Sequence, residues 1–171
     1  VAVKAVGLSV QYPAAWLVLS YKGVSAAQQK SFAKATVPQV VAAAFSSISN
    51  DPATQFFAVD VSTGQSIFVG VARRPFPSSL KDFEIETSGM GTSTTAEVDN
   101  ASSRPLGKKS AFQALTGKQA VGADGTPIER WGGELIFPRS AGLVAVVLVE
   151  TGTDTAAPDR ATTILYGTRA L

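Results

Sequence analysis

From Leu143 to Val149 the sequence reads LVAVVLV, apolar at every position. A strand with one face in water alternates apolar and polar residues. An unbroken apolar run of this length, rich in valine, fits a strand covered on both faces. Upstream, Ile128–Phe137 predicts a second strand, joined to the first by Pro138-Arg139-Ser140-Ala141-Gly142. The two read as a hairpin at the heart of a sheet.

The same reading extends along the chain. Val1–Val10 places apolar residues at alternate positions with a break at Gly7, and Trp16–Tyr21 predicts a partner strand across the turn Tyr12-Pro13-Ala14-Ala15-Trp16. Ser25 and Gln28 have capping-box spacing. Val37, Val40, Val41, Ala44, Phe45 and Ile48 follow at helical spacing. They predict two helices over 26–34 and 38–49, the second opening at Pro38, or one helix kinked there. Gln55–Val61 and Ser66–Ala72 predict a hairpin around Ser62-Thr63-Gly64-Gln65. After Pro75 and Pro77, Ser78 or Ser79 caps a helix from Leu80 to about Thr87, with Leu80, Phe83 and Ile85 facing inward. Thr92–Lys109 is polar and predicts a loop with a short edge strand near Thr95–Asp99. Ala111–Val121 predicts a strand that turns at Asp124-Gly125 into Ile128–Phe137. Pro158 opens a last helix, Asp159–Tyr166, with Asp159 favourably near its N-terminus. Strands joined by hairpins give an antiparallel sheet. With helices on both faces, the expectation is an α+β fold, a three-layer α/β/α sandwich around a central antiparallel sheet, in one domain spanning 1–171.

Composition narrows the chemistry. The chain has 171 residues, only 16% charged, and a net charge of +2. That excess is too small to build the basic face a nucleic-acid partner requires. There is no cysteine and no histidine, which removes disulfides, thiol nucleophiles, His-ligated zinc and a Ser-His-Asp triad. No serine sits in G-x-S-x-G, and neither Gly132-Gly133 nor Gly89-Met90-Gly91 has the spacing of a phosphate-binding loop. Gly132-Gly133 reads as a β-bulge. No cofactor is expected, and no apolar run reaches the length of a transmembrane segment. The chain opens on Val1, not Met, which fits a mature form whose leader has been removed.

Two stretches carry a resemblance. GLSVQYPAAW, Gly7–Trp16, resembles the hairpin with Tyr/Phe-Pro-x-x-Trp that opens many PsbP-like domains, a fold shared by Mog-type Ran-binding proteins. ATTILYGTRAL, Ala161–Leu171, is similar to their terminal helix and tail. The order of predicted elements matches as well. With much Ala, Val, Ser and Thr and little Lys, the chain looks most like the LpqN-type branch of actinobacterial cell-envelope lipoproteins. The resemblance implies a non-enzymatic accessory or binding role, a protein partner or apolar ligand in the envelope, and an extracytoplasmic place, secreted or lipid-anchored.

Few residues stand out as site candidates. Arg73 and Arg74 beside Phe76 suit an anion or a partner, or simply a solvated strand end. Trp131 has the size and amphipathic character of an interface anchor, and equally of a core or rim residue. Glu129, Arg130 and Glu134 share one strand. Paired carboxylates would serve a hydrolase or transferase if they converged in a cleft, but charges on adjacent strands more often pair at a sheet edge. Asp60 and Glu150, at strand ends, read the same way. Arg73, Arg74, Phe76 and Trp131 are therefore the interface candidates, and a carboxylate-dependent enzyme is the alternative function.

Overall fold

The apolar run lies in the fourth of seven strands. A computed structural model describes residues 1–19, 53–89, 96–121, 124–140 and 142–171. In chain order its strands are β1 (Ala2–Val3), β2 (Leu8–Ser9), β3 (Leu17–Leu19), β4 (Thr54–Val59), β5 (Ser66–Ala72), β6 (Ala96–Leu106), β7 (Lys109–Val121), β8 (Pro127–Ser140), β9 (Leu143–Gly152) and β10 (Arg169–Ala170). The helices are α1 (Leu80–Gly89) and α2 (Ala157–Gly167). The main sheet runs β3-β4-β5-β9-β8-β7-β6 and is antiparallel throughout. A small sheet, β1-β2-β10, accompanies it. The predicted helices over 26–34 and 38–49 lie outside the described residues.

Five of the seven apolar positions of β9 divide between two cores. Ala145, Val147 and Val149 join Leu135, Phe137, Ile67 and Val69 beneath Ile164 and Leu165 of α2, with Val6, Leu8 and Trp16 of the small-sheet region in the same cluster. Val144 and Val146 join Phe112, Ala114 and Ile136 beneath Phe83 of α1. The two helices therefore sit on opposite faces of the sheet. Each fully buried aliphatic side chain contributes about 1.5–3 kcal/mol of transfer free energy, so a strand buried on both faces does not alternate. Leu148 departs from this: it belongs to the run but is 41% exposed.

α1 begins at Ser79, whose hydroxyl accepts the Asp82 amide at 3.1 Å. Phe83 is fully buried, whereas Ile85 is 61% exposed. Two residues on a helix are separated by roughly 200°, so Ile85 points away from the face that Phe83 buries. Ahead of α2, the Asp154 carboxylate accepts the Ala156 amide at 3.0 Å and pairs with Arg160 at 2.6 Å. At its far end the Arg104 guanidinium on β6 donates to the carbonyls of Leu165 at 2.7 Å and Thr168 at 3.0 Å, and to Gln113 at 2.8 Å. These bonds satisfy carbonyls that the helix itself leaves open and place a cation at its negative end.

Further expectations are corrected. Val1–Val10 and Trp16–Tyr21 do not form the expected hairpin: β2 pairs with β1 and β10, while β3 crosses to the main sheet and pairs with β4. The described part of Thr92–Lys109 is mostly strand, since β6 pairs with β7 through ten positions around a turn at Gly107, whose φ of 64° suits glycine. As the last strand of the sheet, β6 needs few apolar residues and tolerates Pro105. Glu134 does not pair at a sheet edge: it is 3% exposed on β8, between β7 and β9. Glu150 is likewise on the central strand. The expected bulge is present as an irregularity between Trp131 and Gly132, but the extra residue is Thr151 on β9. The glycines serve close approach. A Cβ at Gly133 would lie 2.7 Å from Leu165 Cδ1 and 2.8 Å from the Ala114 carbonyl oxygen.

Two substitutions test this packing. Arg104→Ala is expected to lower unfolding free energy by about 2 kcal/mol through lost charged hydrogen bonds, read by urea denaturation. Gly133→Ala is expected to cost about 1–3 kcal/mol, because backbone must move to admit the methyl group.

Candidate functional site

The exposure of Leu148 marks a cleft of about 480 Å³ on the face of the sheet that carries α1. Residues that face one way on successive strands build it. Ala114, Glu134, Leu148 and Phe68 form one row across β7, β8, β9 and β5. Phe68, Val146 and Leu148 supply an apolar floor. Gly132, where a Cβ would collide with the Val149 carbonyl oxygen, keeps the middle of the sheet bare. The rim is polar, with Gln65 from the β4–β5 turn, Glu150 on β9, and Lys118 and Arg130 on β7 and β8.

One wall is an ion network. Arg74, just after β5, donates from Nη2 to Glu134 Oε1 at 2.7 Å and from Nη1 to Glu86 Oε2 at 2.8 Å. The Thr87 hydroxyl on α1 donates to the other Glu134 oxygen at 3.3 Å. Burial pushes the Glu134 carboxyl above its ordinary pKa, against the opposing pull of Arg74 and Thr87. Both oxygens of this carboxylate are engaged within the protein. The network joins α1 to the sheet and gives the cleft a rigid side.

The four interface candidates separate. Arg74 and Trp131 both border the cleft. Arg73 is exposed and does not line it. Phe76 stacks on Phe112 with ring centroids 4.8 Å apart and packs into the core beneath α1. Nothing in the sequence marks Leu148, Phe68 or Lys118 as site residues. Leu148 was hidden inside a uniformly apolar run, and the position of Lys118 acquires meaning only from the β7–β8 register. Among the described residues no helix is long and apolar enough to cross a membrane, and no group of three or more acidic side chains could hold a metal ion.

No family model and no curated protein matches the chain. Among solved structures it is similar to the solution structure of cyanobacterial PsbP (CyanoP) from Synechocystis sp. PCC 6803. The match has a TM-score of 0.56 at 13% identity and covers 98% of this chain and 88% of that one. The chain thus has a PsbP-like fold, mostly antiparallel sheet with two helices among its described residues.

Removing Arg74 alone strands a buried carboxylate. Arg74→Met is expected to cost about 3–5 kcal/mol near neutral pH, with Arg74→Met/Glu134→Leu recovering most of it. The native Glu134 pKa exceeds that of the unfolded chain, so the native state binds this proton more tightly. The contribution is full below the ordinary glutamate value, roughly 4.3, and falls as pH rises through the native value. Chemical denaturation across that window should show the decline in the wild type and its absence in Glu134→Gln.

Proposed function

We propose that this chain is a non-enzymatic binding or accessory module of the cell envelope, and that the cleft beside β9 is its recognition site. The single observation that carries the reading is the open apolar floor: among the described residues of the main sheet, Leu148 is the large apolar side chain open to water, 41% exposed on the central strand, next to Phe68 and Val146. A large apolar side chain open to water in a concave site is what an apolar ligand or partner side chain covers. Arg74 supports the wall and Trp131 supplies an aromatic edge. Arg73 and Phe76 flank that wall from outside the cleft.

The PsbP-like fold supports the rest of the reading. The chain is one PsbP-like domain over 1–171, a complete three-layer α/β/α sandwich, and the soluble part of an exported lipoprotein of the LpqN type, secreted or lipid-anchored. A carboxylate-dependent hydrolase or transferase is the second reading. It is favoured by the raised pKa of buried Glu134 in a cleft that Glu150 also borders, and opposed by the engagement of both Glu134 oxygens.

A neutral apolar dye such as Nile red tests the site without involving charge. The wild type is expected to bind it saturably with enhanced fluorescence. Leu148→Asp should lose at least roughly tenfold in affinity, since it places a charge on the apolar floor, while its thermal melt confirms folding. A folded Leu148→Asp protein that binds the dye like the wild type would remove the cleft from the proposal.

A further inference from the structure

The rim of the cleft holds an arrangement that the fold itself does not require. Lys118 on β7 stands directly opposite Arg130 on β8, and both border the cleft. Like charges at directly opposed cross-strand positions repel. Among the described residues neither cation is in an ion pair: the pairs present are Arg74–Glu86, Arg74–Glu134 and Arg160–Asp154. Of the carboxylates bordering the cleft, Glu134 is held by Arg74 and Glu150 lies beyond ion-pair distance of either cation. Two unneutralised cations side by side at the mouth of a site form a local conflict that a bound anion would relieve.

The floor beside them has the opposite character. Phe68, Val146 and Leu148 are apolar, and Leu148 is open to water. Thr116, between floor and rim, offers a hydroxyl. The cleft, at about 480 Å³, lies in the lower half of the range typical of small-ligand sites, roughly 300–1,000 Å³.

We infer that the occupant is a single-chain anionic amphiphile, a long-chain fatty acid, with its hydrocarbon on Phe68, Val146 and Leu148 and its carboxylate between Lys118 and Arg130. This rests on the cleft being the recognition site and adds the charge of its ligand. The acid group supplies the negative charge that the opposed cations lack, and the chain covers the leucine that the sheet leaves open.

The test compares cis-parinaric acid, a fluorescent fatty acid, with its methyl ester, on the full chain. The acid is expected to bind saturably and several-fold tighter than the ester, and added salt should weaken the acid alone. Lys118→Gln/Arg130→Gln should weaken the acid by roughly tenfold and leave the ester unchanged. The same double variant should melt no lower than the wild type without ligand, because a repulsion has been removed. Equal binding of acid and ester, unaffected by the double variant, would overturn the anionic ligand while Nile red binding still upholds the apolar cleft. Absence of binding by both parinaric probes would overturn the fatty-acid inference, and the dye would then decide the cleft separately.

Discussion

Everything else in the fold is arranged around burying β9 on both faces at once. A strand of that composition is unstable with either face in water, so the chain must provide two covers and two hydrogen-bonded neighbours. β5 and β8 supply the ladders. α1 and α2 supply covers on opposite faces. The glycine at 133 follows from the same demand, because Leu165 can reach the sheet only where a side chain is missing. Arg104 in turn fixes the end of the helix that Leu165 belongs to.

The cleft is where this covering stops. α1 lies over the Phe112–Ile136–Val146 region, and one row further along the sheet Leu148 is open. The boundary between covered and open sheet is held by the Arg74–Glu134–Thr87 contacts. A buried carboxylate is a costly way to stabilise a wall, and an apolar residue would serve stability as well. What the ion network adds is a fixed position for α1, and therefore a defined edge for the cleft.

Sequence reasoning succeeded where burial is uniform and local. LVAVVLV, the strand Ser66–Ala72 and the terminal helix are each determined by composition and spacing within one segment. It failed where pairing partners decide. β6 looks like a loop because an edge strand presents few apolar residues, and the opening hairpin looks plausible because both of its halves really are strands. Phe76 and Arg74 are two residues apart in a segment that reads as one basic-aromatic patch, yet one enters a core and the other an ion network. Leu148 is indistinguishable in sequence from its six neighbours, and the opposition of Lys118 and Arg130 exists only in the register between strands.

The division of Gly7–Leu19 between two sheets has a consequence for how the chain assembles. β2 receives β10 as its partner, and the Leu171 amide donates to the Gly7 carbonyl at 3.0 Å. The first and last described segments therefore close on one another like a clasp. Contacts of such large sequence separation carry the greatest loop-closure cost unless the intervening chain is already compact. Closing the clasp therefore costs least once the central sheet has collapsed and brought Leu8 and Ala170 near one another.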